Sequence, residues 1–396
     1  MLDDNSINKK ADQLKEKLIK WRRLIHKNPE LGFNETDTSD FITTKLKEFG
    51  IEYERMCGTG VVGLIKGDNK GKTLAIRADI DGLAIKEKND VSYKSQNEGV
   101  MHACGHDAHT AILLGTAKLL SEMKEDIKGN VKLIFQPAEE GPGGAKPMIK
   151  EGVLENPKVD YIIGLHINPG IKSGKVGIKK GRTLAAPDQF KIKVKGKGAH
   201  GARPEEGVDP ITIGSKIILG LQQIKSREVE ALKPLVISCG SFHAGDAFNA
   251  IPEEAIIEGT VRSFDNELRK KVKRRIHEII ENVTKAYKAD YDYEYNFVYP
   301  PCYNDPKLTK VMGEVITEKL GDNNLYEIPK PSMGGDDFAY FSQKVPGTYM
   351  RLGTKNKEKE AVNSLHSPYF KLDEDILKQG VKLFSHGANR ILNKGY

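Results

Sequence analysis

Ten residues, Met101-His102-Ala103-Cys104-Gly105-His106-Asp107-Ala108-His109-Thr110, hold three of the chain's ten histidines and one of its four cysteines. Thiolate and imidazole together suit zinc, cobalt, nickel or manganese better than calcium or magnesium. Ala103 and Gly105 are small enough for a tight turn. Cys104 and His106, two apart, point to the same side of an extended loop. An apolar run from Ala111 to Leu120 follows and predicts a buried helix. The plainer reading is that these histidines cap that helix and satisfy buried carbonyls. The density of ligand types in one loop favours a metal instead.

Carboxylates stand at the ends of predicted strands. Apolar runs at 61–65, 73–77, 130–135 and 161–165 read as buried strands. The second leads into Asp79-Ile80-Asp81-Gly82, and strand C-termini are where α/β enzymes place chemistry. A plain Asp-Gly turn is the competing reading. The third leads into Gln136-Pro137-Ala138-Glu139-Glu140-Gly141 and a glycine-rich loop. Neighbouring side chains on extended backbone diverge, so one glutamate can bind metal while the other acts as general base. The fourth ends in His166. With Cys104 and His106, these ends supply N, S and O donors enough for two ions, which when bridged sit about 3.5–4 Å apart.

The elements that must position these groups follow from pattern. A helix over 7–27 ends at Pro29, and another over 35–49 ends at Gly50. Near residue 184 the pattern changes. Phe190, Ile192 and Val194 alternate with Lys191, Lys193 and Lys195, which reads as a half-exposed strand. A helix at 208–225, strands at 234–243 and 253–263, a helix at 266–288 and a strand at 290–299 complete a βαββαβ order, the ferredoxin-like pattern. The expected architecture is therefore α/β. A catalytic domain with a mixed sheet flanked by helices is formed by 1–184 and 300–396. An inserted α+β domain at 185–299 offers an exposed edge to a second copy of the chain. Its polar groups His200, Asn249 and Arg262 are candidates for binding an anionic substrate group. A helix over 305–319, a strand at 348–352, a polar loop with His366 and a last helix over 373–393 close the chain.

Other function classes are set aside. The net charge of +7 comes from 62 basic and 55 acidic residues, mild for 396 residues. The densest basic run, Lys270 to Arg275, accompanies the stripe Ile276, Ile279, Ile280 and reads as a solvated helix face rather than a nucleic-acid patch. Gly58-Thr59-Gly60-Val61-Val62-Gly63 matches GxGxxG, but it precedes a strand and no helix follows, which excludes the dinucleotide fingerprint. Four scattered cysteines fit a reducing compartment. No leader and no apolar run of membrane-spanning length stands in the sequence, so a cytoplasmic protein is expected.

Together these motifs resemble the M20 metallopeptidase family, in its amidohydrolase branch of hippurate hydrolases, aminoacylases, N-acetyl-diaminopimelate deacetylases and plant-type auxin-conjugate hydrolases. The matching pieces are Arg22 to His26 with Pro29 to Gly32, Arg77 to Leu83, Met101 to His109, Gln136 to Gly141, Gly164 to His166, Lys197 to Pro204, Asn249 to Pro252, and the His366 loop. They run in order along nearly the whole chain. Asp336 departs from the pattern, at a position where the family often carries Glu. The resemblance implies two divalent ions (Mn, Zn, Co or Ni) on Cys104, His106, Glu140, His166 and His366. It implies Glu139 as general base and Asp81 as the residue that orients a ligand. It also implies His200, Asn249 and Arg262 as lid residues on an N-acyl amino acid substrate, and a homodimer in which the lid histidine reaches the partner's site. A carboxypeptidase or dipeptidase on the same scaffold is the alternative activity. A non-catalytic metal-dependent binding protein is the alternative outside enzymes.

Overall fold

The computed structural model describes residues 3–67 and 69–394, and the chain divides into two compact units. The first comprises the chain up to Thr183, Tyr303–Lys330 and the chain from Asp336 onward. Its strands are β1 (Glu52–Met56), β2 (Gly60–Lys66), β3 (Asn69–Asp79), β4 (Lys128–Gln136), β5 (Tyr161–Lys172) and β6 (Val176–Ile178), with Leu325–Glu327 and Gly347–Lys355 added from the C-terminal part. They form one mixed sheet in the order β1, β2, β4, β3, β5, Gly347–Lys355, β6, Leu325–Glu327. The centre of this sheet, β4, β3 and β5, is parallel. Its Val, Ile and Leu residues are almost fully buried, as expected for a sheet covered on both faces.

Helices α1 (Asp4–Gln13), α2 (Lys15–Lys27), α3 (Thr36–Glu48), α4 (His106–Ser121) and Ile376–Asn389 surround this sheet. α4 is buried nearly all round, which its Ala/Leu-rich sequence allows. The single helix expected over 7–27 is two. The chain breaks at Leu14, and Ile7, Ala11, Leu14 and Leu18 are all buried in the core. The GxGxxG segment forms the β1–β2 hairpin, in which Cys57 and Gly58 take φ of 52° and 79°. The strand expected to end at His166 continues to Lys172. The reason is its neighbour Gly347–Lys355, which pairs Arg351 with His166 and Lys355 with Lys172.

The second unit comprises Leu184–Cys302 with Pro331–Gly335. Its antiparallel sheet has the order Leu235–Ala244, Glu254–Ser263, Ala186–Lys195, Asp290–Asn296. That is the ferredoxin-like arrangement, first strand central and second at an edge. Helices Pro210–Gln223 and Asn266–Ala286 cover one face through Ile213, Ile217, Leu221, Val272, Ile276 and Ile280. Asp209 and Asp265 cap their N-termini by accepting backbone N–H bonds. No helix among the described residues is long and apolar enough to cross a membrane.

Candidate active site

The loop before α4 carries Cys104, and His106 is the first residue of that helix. Between them Gly105 takes φ of 84°, where a Cβ would come within 2.0 Å of Ile167 Cδ1. Only glycine fits a left-handed backbone pressed that closely on β5. The contact brings the loop against His166. Cys104 Sγ lies 3.3 Å from His166 Nε2. His166 Nδ1 donates to the Ile167 carbonyl at 2.7 Å, which leaves Nε2 as the open lone pair facing the thiol.

Asp81 joins two other donors. Its Oδ1 lies 3.1 Å from His106 Nδ1, and its Oδ2 accepts the Glu140 N–H at 3.0 Å. His106 Nε2 is buried and makes no hydrogen bond. His366, half-exposed, has Nε2 3.1 Å from Glu140 Oε1. Its own N–H donates to the Ala103 carbonyl, which ties the His366 loop to the Cys104 loop. Five sets of donor atoms among the described residues fall within 4.8 Å of one another, and three of them combine these groups: Cys104, His106 and His166; Cys104, Glu140 and His366; His106, Glu139 and Glu140. Sulfur, imidazole and carboxylate donors around a buried His106 nitrogen that makes no hydrogen bond fit borderline divalent ions.

A further set, Asp79, His106 and His109, also lies within 4.8 Å, but its members are otherwise engaged. His109 Nε2 accepts the Ile167 N–H, and its Nδ1 donates to Asp79 Oδ1. Neither nitrogen is left for an ion. Asp79 also receives Arg77 Nη1 at 2.6 Å. Burial alone would raise the Asp79 pKa, but His106, His109 and Arg77 hold it well below the ordinary value. Asp79 therefore acts as an ionised anchor for the histidines rather than as a donor.

Glu139 is buried beside Glu140. Burial pushes its pKa well above the usual carboxylate range, and the nearby Asp336, Glu140 and Asp337 push the same way. A carboxylate with raised proton affinity next to the donor cluster can take up and return a proton.

Three supporting groups were given no role by the sequence reading, although two of them lie inside its motifs. Arg77, fully buried in an apolar strand, donates to Gln136 Oε1 and Asp337 Oδ1 at 2.8 Å each. Asp337 also accepts the Ala145 N–H at 2.9 Å, so Arg77 and Asp337 brace the loop after β4. Asp107 lies 2.6 Å from Arg22 Nε and 2.7 Å from His26 Nδ1, which holds the start of α4 against α2. A lone arginine in a hydrophobic strand was the available signal for Arg77. Asp107 and its partners lie too far apart in sequence to be read as a set.

In the second unit, His200 and Asn249 come together. Ala199–His200 pairs with Ala250–Ile251, and Gly201 N–H donates to the Asn249 carbonyl. His200 Nδ1 accepts the Ala202 N–H at 3.1 Å, which leaves Nε2–H to donate outward. Arg262 is not with them. It lies in Glu254–Ser263 opposite Pro187 and Val236, eight residues beyond Glu254, the end that pairs with Lys195. At a rise of about 3.3 Å per residue that is roughly 26 Å along the strand. Within this unit, then, Arg262 stands apart from the His200–Asn249 pair.

A family model described as peptidase family M20/M25/M40 matches residues 75–390. Thermostable carboxypeptidase 2 of Saccharolobus solfataricus is 42% identical over 387 residues, covering 96% of this chain and 97% of that protein. The N-acetyl-L-cysteine deacetylase of Bacillus subtilis is 39% identical, covering 99% of this chain and 91% of that protein. A Bacillus subtilis structure described as a dinuclear metal binding peptidase from the M20 family superposes with a TM-score of 0.83 at 35% identity, covering 96% of this chain and 99% of that one.

Proposed function

The chain belongs to peptidase family M20/M25/M40, and from that premise we propose that it hydrolyses the amide bond of N-acyl amino acids, releasing a carboxylate and a free amino acid. The observation that carries this reading is the meeting of Cys104, His106, Glu140, His166 and His366 beside Glu139. The deacetylase relative supports the N-acyl substrate class. Cys104, His106, Glu140, His166 and His366 would hold two divalent ions (Mn, Zn, Co or Ni), which supply Lewis acidity and make water a better nucleophile near neutral pH. The dinuclear relative supports that number.

Glu139 takes a proton from the attacking water and returns it to the leaving nitrogen. Asp81 keeps the His106 ring and the Glu140 backbone in register with each other. His200 Nε2–H donates to the oxyanion, and Asn249 and Arg262 hold the substrate's carboxylate. Losing one oxyanion donor typically costs about 10²–10³ in rate. The separation of Arg262 from His200 and Asn249 supports a homodimer, in which His200 and Asn249 of one copy serve the site of the other. Its unpaired cysteines suit a reducing, cytoplasmic setting.

A carboxypeptidase is the second reading, favoured by the relative of that name. The test is amino-acid release from N-acetyl and N-benzoyl amino acids and from dipeptides, by chelated enzyme resupplied with Mn, Zn, Co or Ni. Metal-restored release from acyl substrates with dipeptides untouched is expected. Cleavage of dipeptides alone moves the protein to the second reading. Glu139→Gln should lower turnover by at least about 10³-fold with metal content unchanged, from loss of the general base.

A further inference from the structure

Glu35 stands at the N-cap of α3, a position that favours Ser, Thr, Asp or Asn. Its side chain does not cap that helix. Glu30 does so instead, accepting the Asp37 and Thr38 N–H groups at 3.0 and 2.9 Å. The Glu35 carboxylate is 0% exposed and turns the other way. Its Oε1 accepts the Ala138 N–H at 2.8 Å, and its Oε2 accepts the Thr59 hydroxyl at 2.5 Å.

Ala138 immediately precedes Glu139 and sits at φ of 53°, a left-handed conformation that alanine does not adopt unaided. The segment 29–35 packs on this turn from a second side. A Cβ on Gly32 would lie 2.8 Å from Ala138 Cβ and 2.9 Å from the Gly141 carbonyl oxygen. The same segment reaches the Asp81 turn, since Gly82 N–H donates to the Glu30 carbonyl at 2.7 Å.

We propose that Glu35 is a positioning residue: its bond to the Ala138 N–H holds the left-handed turn that aims Glu139 at the reacting atoms. The proposal rests on the reading of Glu139 as general base. Glu35 touches neither substrate nor ion and acts through the backbone alone. What it supplies is reach and an acceptor oxygen rather than charge. An amide in its place keeps an oxygen of the same reach to accept the Ala138 N–H.

The experiment compares Glu35→Ala, Glu35→Asp and Glu35→Gln in the metal-loaded enzyme, with Glu139→Gln alongside. A misplaced catalytic group typically costs about 10–100-fold. Glu35→Ala and Glu35→Asp should each lower kcat by about that factor with KM within about twofold and metal per chain unchanged. Glu35→Gln, which keeps both reach and acceptor, should restore kcat to near the parent value. Wild-type kcat in Glu35→Asp overturns the proposal, as does a Glu35→Gln no better than Glu35→Asp. Equal losses in kcat, substrate affinity and metal content would show a merely structural role and overturn it too. Should Glu35→Ala fail to fold, the Asp and Gln variants decide between them. Full turnover by Glu139→Gln would instead refute the general-base reading, a result separable from any Glu35 outcome.

Discussion

The three histidines of the 101–110 loop have three fates. His106 keeps a buried nitrogen without a hydrogen bond, while both nitrogens of His109 are taken by Asp79 and Ile167. His102 is buried without a hydrogen bond, and burial pushes its pKa down to about 4, so it is neutral. Ligand chemistry depends on side-chain type, which is why the loop could be read as a metal site at all. Rank among its histidines depends on partners from β3 and β5, far away in sequence. The same holds for Cys104, whose nearest donors come from β5, the loop after β4 and the His366 loop. Cys104→Ala should lose at least one metal equivalent per chain by elemental analysis, with the thermal midpoint of the chelated protein little changed. Unchanged metal content would remove Cys104 from the donor set.

Among the elements, the strands and helices that carry strong periodicity were legible, and their ends were not. The strand expected to end at His166 runs on to Lys172 because Gly347–Lys355 lies alongside. That partner is remote in sequence, so no local pattern could reveal it. The consequence is that His166 sits within a strand, paired with Arg351 of Gly347–Lys355, a stiffer mount than a loop. Gly105 is the matching constraint on the opposite wall. Gly105→Ala would put a methyl on a left-handed residue and into Ile167. It should destabilise the protein by about 1–3 kcal/mol in thermal or denaturant unfolding. Metal content below one equivalent should accompany that loss. A variant with parental stability and full metal would show that the loop has room to shift.

For the whole molecule, the βαββαβ order of the inserted unit was readable because its two amphipathic helices and alternating strands each state their buried face. That His200 joins Asn249 was not readable, since it depends on the pairing of Ala199–His200 with Ala250–Ile251, whereas the distance from this pair to Arg262 follows from the length of the strand expected at 253–263. That distance makes a dimer testable by mixing inactive variants. Glu139→Gln and His200→Ala, each inactive alone, should regain activity when unfolded and refolded together. In random dimers with composite sites, roughly a quarter of the sites would hold both intact groups. No recovery, in a preparation shown by sedimentation to contain mixed dimers, would place His200 in its own subunit's site or outside catalysis.

The place of Gly347–Lys355 between β5 and β6 also bears on synthesis. A ribosome makes that strand only after the entire inserted unit has emerged. Until then β5 carries a bare edge along Leu165, His166 and Ile167, the kind of apolar edge that invites wrong pairing and chaperone attention. His366 arrives on the same late segment. The nascent chain therefore closes its sheet before the His366 loop can join the proposed donors.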